Sequence, residues 1–178
     1  MNLWHDVPRG DNLPDEMNVI IEIPKGSPNK YEIDKETGLI ALDRANYSSA
    51  PYPFDYGFVP QTLWDDNDAL DVMVMSTFPL QTGILVRVRP VALMEMTDDG
   101  ESDYKVIGVI ADDRRWDDVH DLEDLNQHNL KEYKHFFETY KELKEKDVVV
   151  TIDGIKGVID AKAAVARSVT LYDEKFAK

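Results

Sequence analysis

The sequence predicts an α+β fold in which a sheet of short strands comes first and two helices follow. Five runs of apolar residues, or of alternating charged and apolar residues, are typical of strands; they are Val19 to Ile23, Lys30 to Ile33, Leu70 to Met75, Ile84 to Met94 and Tyr104 to Ile110. Segments rich in Gly, Pro, Asn and Asp separate these runs. Many short strands in a small chain indicate a closed barrel or a sandwich, and we expect a single domain over residues 1–178.

Two segments in the second half of the chain change to a helical period. We expect the first helix from about Gln127 to Lys146, and the second from Asp160, as N-cap, towards Phe176. Residues three or four positions apart form their apolar stripes, which are Leu130, Tyr133, Phe137, Tyr140 and Lys144 in the first and Ala161, Val165, Val169, Tyr172 and Phe176 in the second. Val148 to Ile152, between them, is predicted to return to the sheet as a strand. A sheet packed against helices is the α+β architecture.

The chain is strongly acidic, with 35 acidic and 20 basic residues and a net charge of −15. Such a surface repels nucleic acids and anionic lipids, so we expect neither as a partner. The absence of cysteine excludes disulfides and thiolate metal sites. No apolar run has the length of a membrane span, and the N-terminus has no signal-peptide pattern, so we expect a cytoplasmic protein. The acidic excess is either a solvated surface, as in salt adaptation, or in part a set of metal ligands.

The most informative segment is acidic and leads into an apolar strand. Asp66, Asp68 and Asp71 form a D-x-D-x-x-D pattern, and Asp71 lies among apolar residues. A carboxylate that enters a buried strand is costly unless it is paired or ligates a cation. A calcium EF-hand loop does not fit, because the sixth position from Asp66 is Asp71 rather than Gly and the twelfth is Thr77 rather than Glu. A polar turn with an acidic rim is the remaining alternative to a metal site.

A second acidic segment carries a lysine two positions from an aspartate. Asp98 and Asp103 flank a turn that contains Gly, and Lys105 follows. On a strand, Asp103 and Lys105 would point to the same face. Alone, this arrangement is typical of a surface ion pair, which contributes little. Beside the first acidic cluster, a shared metal site becomes the better interpretation.

Basic and aromatic residues accompany these acids. Glu22 ends an apolar strand, Lys30 and Glu32 share one strand face, and Arg44 follows them. Two tyrosines, Tyr52 and Tyr56, lie in a proline-rich segment. A third, Tyr140, lies near the end of the first helix with Lys141 beside it. Each group has an ordinary explanation as a solvated face or a packed turn. Together, hard oxygen ligands favour Mg²⁺, Mn²⁺ or Ca²⁺, and Lys, Arg and Tyr suit a phosphate-rich anion. The combination predicts metal-assisted phosphoryl transfer to water.

These segments resemble the family I soluble inorganic pyrophosphatases of archaeal and bacterial type over nearly the whole chain. The family signature D-x-D-P-x-D corresponds to residues 66–71, where Ala69 replaces the proline. The resemblance implies a five-stranded OB-type β-barrel with flanking α-helices. It also implies Mg²⁺-dependent hydrolysis of pyrophosphate to two phosphates by a metal-activated water, with several Mg²⁺ ions per site and Mn²⁺ or Co²⁺ as substitutes. A homohexamer is the implied assembly.

The resemblance assigns a role to each candidate site residue. The implied metal ligands are Asp66, Asp71, Asp98 and Asp103, with Glu22 and Glu32 serving a further metal bound with the substrate. The implied substrate-binding residues are Lys30, Arg44, Tyr56, Lys105, Tyr140 and Lys141. Tyr52 matches a further active-site tyrosine, and Asp68 matches the carboxylate that directs the attacking water. The implied catalytic residues are Asp68, Lys30, Arg44 and Tyr56. On the first helix, His135 matches a position of subunit contact, and Thr139 stands where some bacterial members carry a second histidine.

Two other classes of protein remain as alternatives. One is an OB-fold module that binds a nucleic acid or an oligosaccharide on aromatic side chains. The other is a structural Ca²⁺-binding protein. The acidic charge argues against the first, and the missing EF-hand loop argues against the second. Release of phosphate from pyrophosphate with Mg²⁺, and its loss with EDTA, would separate all three.

Overall fold

The computed structural model describes residues 1–144 and 148–176. Its strands are β1 (Met17–Ile23), β2 (Asn29–Ile33), β3 (Ile40–Ala45), β4 (Asp55–Phe58), β5 (Asp71–Met75), β6 (Leu85–Asp98), β7 (Glu101–Ser102), β8 (Lys105–Ile110) and β9 (Val150–Lys156). The α-helices are α1 (Gln127–Thr139) and α2 (Val158–Phe176), and two short 3₁₀ helices cover Arg114–Trp116 and Leu122–Asp124. No helix in the described ranges is long and apolar enough to cross a membrane.

Five strands close into a ring. The order is β1-β4-β5-β8-β6, and β6 pairs back with β1. β5 and β8 are parallel, whereas the other neighbours in the ring are antiparallel. β7 and β9 pair with the far end of β6, and β2 and β3 form a separate hairpin. The α+β prediction is confirmed, and the closed ring is found rather than the sandwich.

The longest strand of the ring is able to contain a proline because it bends there. β6 pairs with β8 on both sides of Pro90, and the register shifts between Pro90 and Ala92. Proline lacks the backbone N–H that a sheet needs, so it is confined to edges and bulges. The bulge lets β6 pass from one side of the ring to the extension formed with β9.

The two faces of the sheet pack against different helices. In β5, Val72 and Val74 belong to the cluster that includes Val165 of α2. Met73 belongs to the cluster that contains Phe137 of α1. This alternation is the period-two pattern of a strand that is buried on both faces. Each helix therefore contributes to the core on a different face of β5.

The first helix begins where the sequence predicts and ends earlier. The Asn126 side chain accepts hydrogen bonds from the N–H groups of His128 and Asn129, which fixes the N-terminus. The helix ends at Thr139, so the prediction of a helix to Lys146 is wrong for residues 140–144, which form turns and a bend. Residues 145–147 of that prediction lie outside the described ranges. The consequence is that Lys144 is exposed, whereas Phe136 joins the buried stripe.

The second helix begins at Val158, two residues before the predicted N-cap. The Val158 N–H donates to Asp121 Oδ1 at 2.8 Å, so Asp121, from a distant segment, caps the helix instead of Asp160. Ala161, Val165 and Tyr172 of the predicted stripe are buried. Val169 is half-buried and Phe176 is exposed, and their places are taken by Ala164 and Ser168.

One strand of the ring, β4, lies in the proline-rich segment for which a packed turn was the ordinary explanation. β4 is buried along its whole length. Gly57 is required there, since an added Cβ would lie 2.0 Å from the carbonyl oxygen of Ile20 on β1. The buried Asp55 carboxylate accepts hydrogen bonds from the N–H groups of Lys25 and Leu80, each at 2.9 Å, which ties two loops to the ring.

Candidate active site

An open cleft of about 440 Å³ lies where the ring, the β2–β3 hairpin and the end of α1 meet. Nearly all the side chains that the sequence analysis singled out line it. They are Glu22, Lys30, Glu32, Tyr52, Tyr56, Asp66, Asp68, Asp71, Asp98, Asp103, Lys105, Tyr140 and Lys141. Arg44 is the predicted site residue that is missing from this lining. The fold thus collects residues from six separate segments on one concave surface.

The centre of the cleft is built by the parallel pairing of β5 with β8. This register places Asp71 beside Lys105. The Lys105 ammonium donates to Asp71 Oδ2 at 2.6 Å and also to Asp103, and the side chain is almost completely buried. The Tyr56 hydroxyl donates to the same Asp71 oxygen at 2.5 Å. A buried cation is therefore held between two carboxylates, beside a tyrosine hydroxyl.

The carboxylates of the cleft lie close enough to oppose one another's ionisation. Burial, with the charges of Asp103 and Asp71, raises the pKa of Asp66 to about 7. Burial also raises the pKa of Asp103, against the effect of Lys105. The pKa of Glu22 is raised well above its usual range by burial and by the charge of Asp71. Near neutral pH the positive charge close to these carboxylates does not balance them, so a bound cation would be favourable there.

The pKa values of the lysines and of Tyr56 in the cleft are raised as well. Burial works to lower the pKa of Lys105, but the charges of Asp103 and Asp71 outweigh it and raise that pKa. Burial likewise works to lower the pKa of Lys30, but the hydrogen bonds and charges of Glu32 and Asp43 together outweigh it and raise that pKa. Burial raises the pKa of Tyr56, and Asp71 adds to this effect. At neutral pH the lysines are charged and the tyrosine is a neutral hydrogen-bond donor.

Backbone hydrogen bonds hold the acidic loop before β5, in which Ala69 stands in place of the proline of the family signature. The Asp68 N–H donates to Asp66 Oδ1 at 3.0 Å, and the Trp64 N–H donates to the Asp68 carbonyl at 2.7 Å. Asn67 has φ of 67°, a left-handed conformation that asparagine tolerates. Ala69 is buried in an apolar cluster of the core. Hydrogen bonds and packing therefore hold the aspartates in place.

The hairpin forms one rim of the cleft, and there the structure differs from expectation. Lys30 forms ion pairs with Glu32 and with Asp43, the latter at 3.0 Å. Arg44 lies opposite Lys30 in the register, but its guanidinium donates to Asp43 at 2.6 Å and stacks over Tyr47, 5.2 Å from the ring centroid. Asp43 was not predicted. Asp43 contacts both cations, and the Arg44 guanidinium is engaged there rather than in the lining of the cleft.

Two further lysines connect to predicted acids around the rim. Lys141, in the turn after α1, forms an ion pair with Asp98. Lys35, in the turn between β2 and β3, forms an ion pair with Asp68. Lys35 was not predicted as a site residue, because a lysine in a polar turn has no pattern that sets it apart from an ordinary surface lysine. Asp99 and Glu101, which also line the cleft, were missed for the same reason.

The residues present fit divalent metal ions by their chemistry, although their side chains are arranged as ion pairs. In residues 1–144 and 148–176, no three acidic or histidine side chains converge as a set of metal ligands. The reason is visible in the contacts: Lys105 engages Asp71 and Asp103, and Lys141 engages Asp98. Carboxylate oxygens are the ligands that Mg²⁺ prefers. The raised pKa values of Asp66, Asp103 and Glu22 indicate that nearby cations do not fully balance these carboxylates, so the set of oxygen donors suits a divalent ion.

Known proteins resemble this chain over almost its full length. The family model described as inorganic pyrophosphatase matches residues 19–173. The inorganic pyrophosphatase of Haloferax volcanii is 46% identical over 180 residues, covering 99% of each chain. That of Picrophilus torridus is 44% identical, covering 97% of this chain and 96% of its own.

Solved structures agree with the sequence relatives. The crystal structure of inorganic pyrophosphatase from Thermus thermophilus has a TM-score of 0.93 and 42% identity, covering 97% of this chain and 99% of that one. The structure described as an inorganic phosphatase from Anaplasma phagocytophilum has a TM-score of 0.91 and 35% identity, covering 94% and 99%. By this match to the family model and these near full-length relatives, the chain belongs to the inorganic pyrophosphatase family, of the family I type that its motifs resemble.

Proposed function

We propose that this chain hydrolyses pyrophosphate to two phosphates and that it requires Mg²⁺. The observation that carries the proposal is the buried Lys105, held between Asp71 and Asp103 beside the Tyr56 hydroxyl. A buried ammonium among acids in an open cleft suits a ligand that brings both anionic oxygens and cations. Pyrophosphate bound with divalent metal ions is such a ligand.

The proposed metal ligands are Asp66, Asp71, Asp98 and Asp103, with Glu22 and Glu32 available to an ion that arrives with the substrate. When bound there, Mg²⁺ would neutralise phosphate charge and lower the pKa of the attacking water. Mn²⁺ and Co²⁺ are proposed substitutes because they also accept carboxylate oxygens. Membership of the family supports a divalent cofactor in general.

The proposed substrate-binding residues surround this acidic centre. Lys30, Lys105 and Tyr56 would hold the two phosphates in line for attack, which lowers the entropic part of the barrier. Tyr140 and Lys141, with Arg44 from the hairpin, would stabilise the charge that builds on the leaving phosphate. For Arg44 this requires its side chain to turn from Asp43 towards the cleft.

Asp68 is the proposed acceptor of the proton from the attacking water. Its side chain is half-exposed at the rim, so water reaches it. Its backbone N–H is bonded to Asp66, which fixes the distance between this acid and a proposed metal ligand. A general base within reach of the water contributes about 10²- to 10⁴-fold to a rate.

Phosphate release from pyrophosphate tests the proposal directly. The purified chain should release phosphate with Mg²⁺ and stop when EDTA is added. Activity that persists in EDTA would overturn the requirement for metal, and the absence of any release would overturn the function. Ca²⁺ binding without hydrolysis would favour a structural Ca²⁺ protein, and binding of an oligonucleotide or oligosaccharide would favour an OB-fold module.

We further propose a cytoplasmic homohexamer in which residues 1–178 form one domain. His135 is exposed on α1 opposite the buried stripe, and Thr139 follows it one turn later, so this face is available to another subunit. Light scattering at micromolar concentration and moderate salt should give the mass of six chains. Low salt should weaken the assembly, because like charges repel over a longer distance. A stable monomer at moderate salt would refute the assembly.

A further inference from the structure

The turn of the β2–β3 hairpin reaches across the rim to the acidic loop. The Lys35 ammonium forms an ion pair with Asp68 Oδ1 and lies 3.4 Å from the carbonyl oxygen of Asn67. The side chains of Lys35 and Asp68 are 52% and 51% exposed, so both remain accessible to water. This contact joins the two rims of the cleft beside the proposed general base.

The hairpin side of this contact is rigid. The Leu3 N–H donates to the Gly38 carbonyl at 3.0 Å. Gly38 has φ of 71°, and a Cβ at this position would lie 2.5 Å from the Cα of Asn2. The Thr37 hydroxyl donates to Asp34 at 2.8 Å inside the turn. Contacts with the N-terminal segment therefore hold the end of the turn that carries Lys35.

The loop side is rigid as well. The Trp64 N–H holds the Asp68 carbonyl at 2.7 Å, and the Lys175 ammonium donates to the Asn67 side chain at 3.0 Å. The remaining freedom of Asp68 is thus mainly rotation of its carboxylate. Lys35 forms an ion pair with this carboxylate, with Oδ1 as the nearest oxygen. The Asp68 side chain is half-exposed, so water also reaches it.

We propose that Lys35 is a positioning residue that orients the Asp68 carboxylate for its part in the reaction, an inference that rests on the proposed function. Through this ion pair, Lys35 restricts the rotation of the Asp68 carboxylate at the rim of the cleft and so disfavours unproductive rotamers. A residue that supports a reacting group in this way changes turnover more than substrate binding. Because the ion pair is half-exposed, the expected effect is modest, about two- to fivefold in kcat.

A double-mutant cycle tests this inference. Lys35→Met should lower kcat about two- to fivefold, with KM, Mg²⁺ affinity and the thermal midpoint unchanged. Lys35→Arg should restore most of the loss, because it keeps the charge. In an Asp68→Asn background, assayed at higher enzyme concentration, Lys35→Met should cause no further loss, since the introduced amide accepts no proton in any orientation. Lys162→Met is the matched control, because Lys162 forms a comparable exposed ion pair with Asp15, at 2.6 Å, away from the cleft.

Each contrary result has a distinct meaning. A rise in KM that persists in the Asp68→Asn background would overturn the inference and make Lys35 a substrate ligand. A fall in the thermal midpoint that accompanies the loss, and that Lys35→Arg does not reverse, would reduce Lys35 to a structural role. Unchanged kcat in Lys35→Met, with an active wild type, would overturn the inference alone. A wild type that releases no phosphate would overturn the proposed function and this inference with it.

Discussion

Replacement of Asp68 by asparagine tests whether the proposed proton acceptor acts separately from the proposed metal ligands of the cleft. The amide is nearly isosteric, and the hydrogen bond to Asp66 comes from the backbone N–H of residue 68, so the loop should persist. The side chain is half-exposed, and its ion pair with Lys35 is worth about 0 to 1 kcal/mol, so the free energy of unfolding should change little. What disappears is the ability to accept a proton.

The expected loss of rate follows from that single change. A general base contributes about 10²- to 10⁴-fold, which is about 3 to 5 kcal/mol of barrier. Steady-state phosphate release should therefore show a large fall in kcat, whereas calorimetric Mg²⁺ affinity should be nearly kept. Pyrophosphate affinity should hold or increase, because one negative charge near the substrate is removed. A parallel fall of Mg²⁺ affinity and rate would make Asp68 a metal ligand, and an unchanged rate would make it a turn residue; either result refutes the reasoning.

Three other changes address the acidic centre. Asp71→Asn should weaken Mg²⁺ binding and lose activity that excess Mg²⁺ partly restores; unchanged Mg²⁺ affinity would show that Asp71 is not a ligand. Mg²⁺ binding at pH 7 should release protons, because the pKa of Asp66 is about 7 without metal; equal calorimetric heats in buffers of different ionisation enthalpy would contradict this. Lys105→Met should destabilise the metal-free protein by about 3 to 5 kcal/mol in urea unfolding, since two acids lose a buried partner; a loss below about 1 kcal/mol would disprove a buried charge pair.

The same pKa shift sets the pH dependence of stability. Because the folded-state pKa of Asp66 is raised, its favourable contribution is complete below its unfolded value near 3.8 and is lost as pH rises through about 7. The raised pKa values of Asp103 and Glu22 act in the same direction. The effect of Mg²⁺ on thermal stability should therefore be larger at pH 8 than at pH 5.

Features that follow from the period of a strand, or from the cost of burying a charged side chain, could be predicted from the sequence. Asp71 was identified because a carboxylate among the apolar residues of β5 demands a partner, and the structure supplies Lys105. Asp103 and Lys105 were expected on one face, and they form an ion pair. β4 was missed because it is buried along its whole length and contains no alternation, so the prolines and tyrosines in and around it suggested a turn.

Other features depend on contacts between distant segments, which periodicity does not encode. The apolar stripe of α1 continues to Tyr140, although the helix ends at Thr139, so pattern alone placed the end too late. The position of Arg44 on the hairpin was predicted, but the contact of its guanidinium with Asp43 was not. Lys35 acquires significance only when the folded hairpin brings it to Asp68.

The parallel pairing of β5 with β8 has a consequence for folding. Parallel neighbours cannot be joined by a tight turn, and here β6 and β7 lie between them in the chain. The bond from Lys105 to Asp71 thus joins residues 34 positions apart, and the pocket exists only after the ring has closed. A cation bound by this pocket would be a ligand of the native state, so the free energy of unfolding would rise with the logarithm of its concentration once that exceeds Kd. Metal supply would then govern how long the chain survives heat and proteases as well as how fast it works.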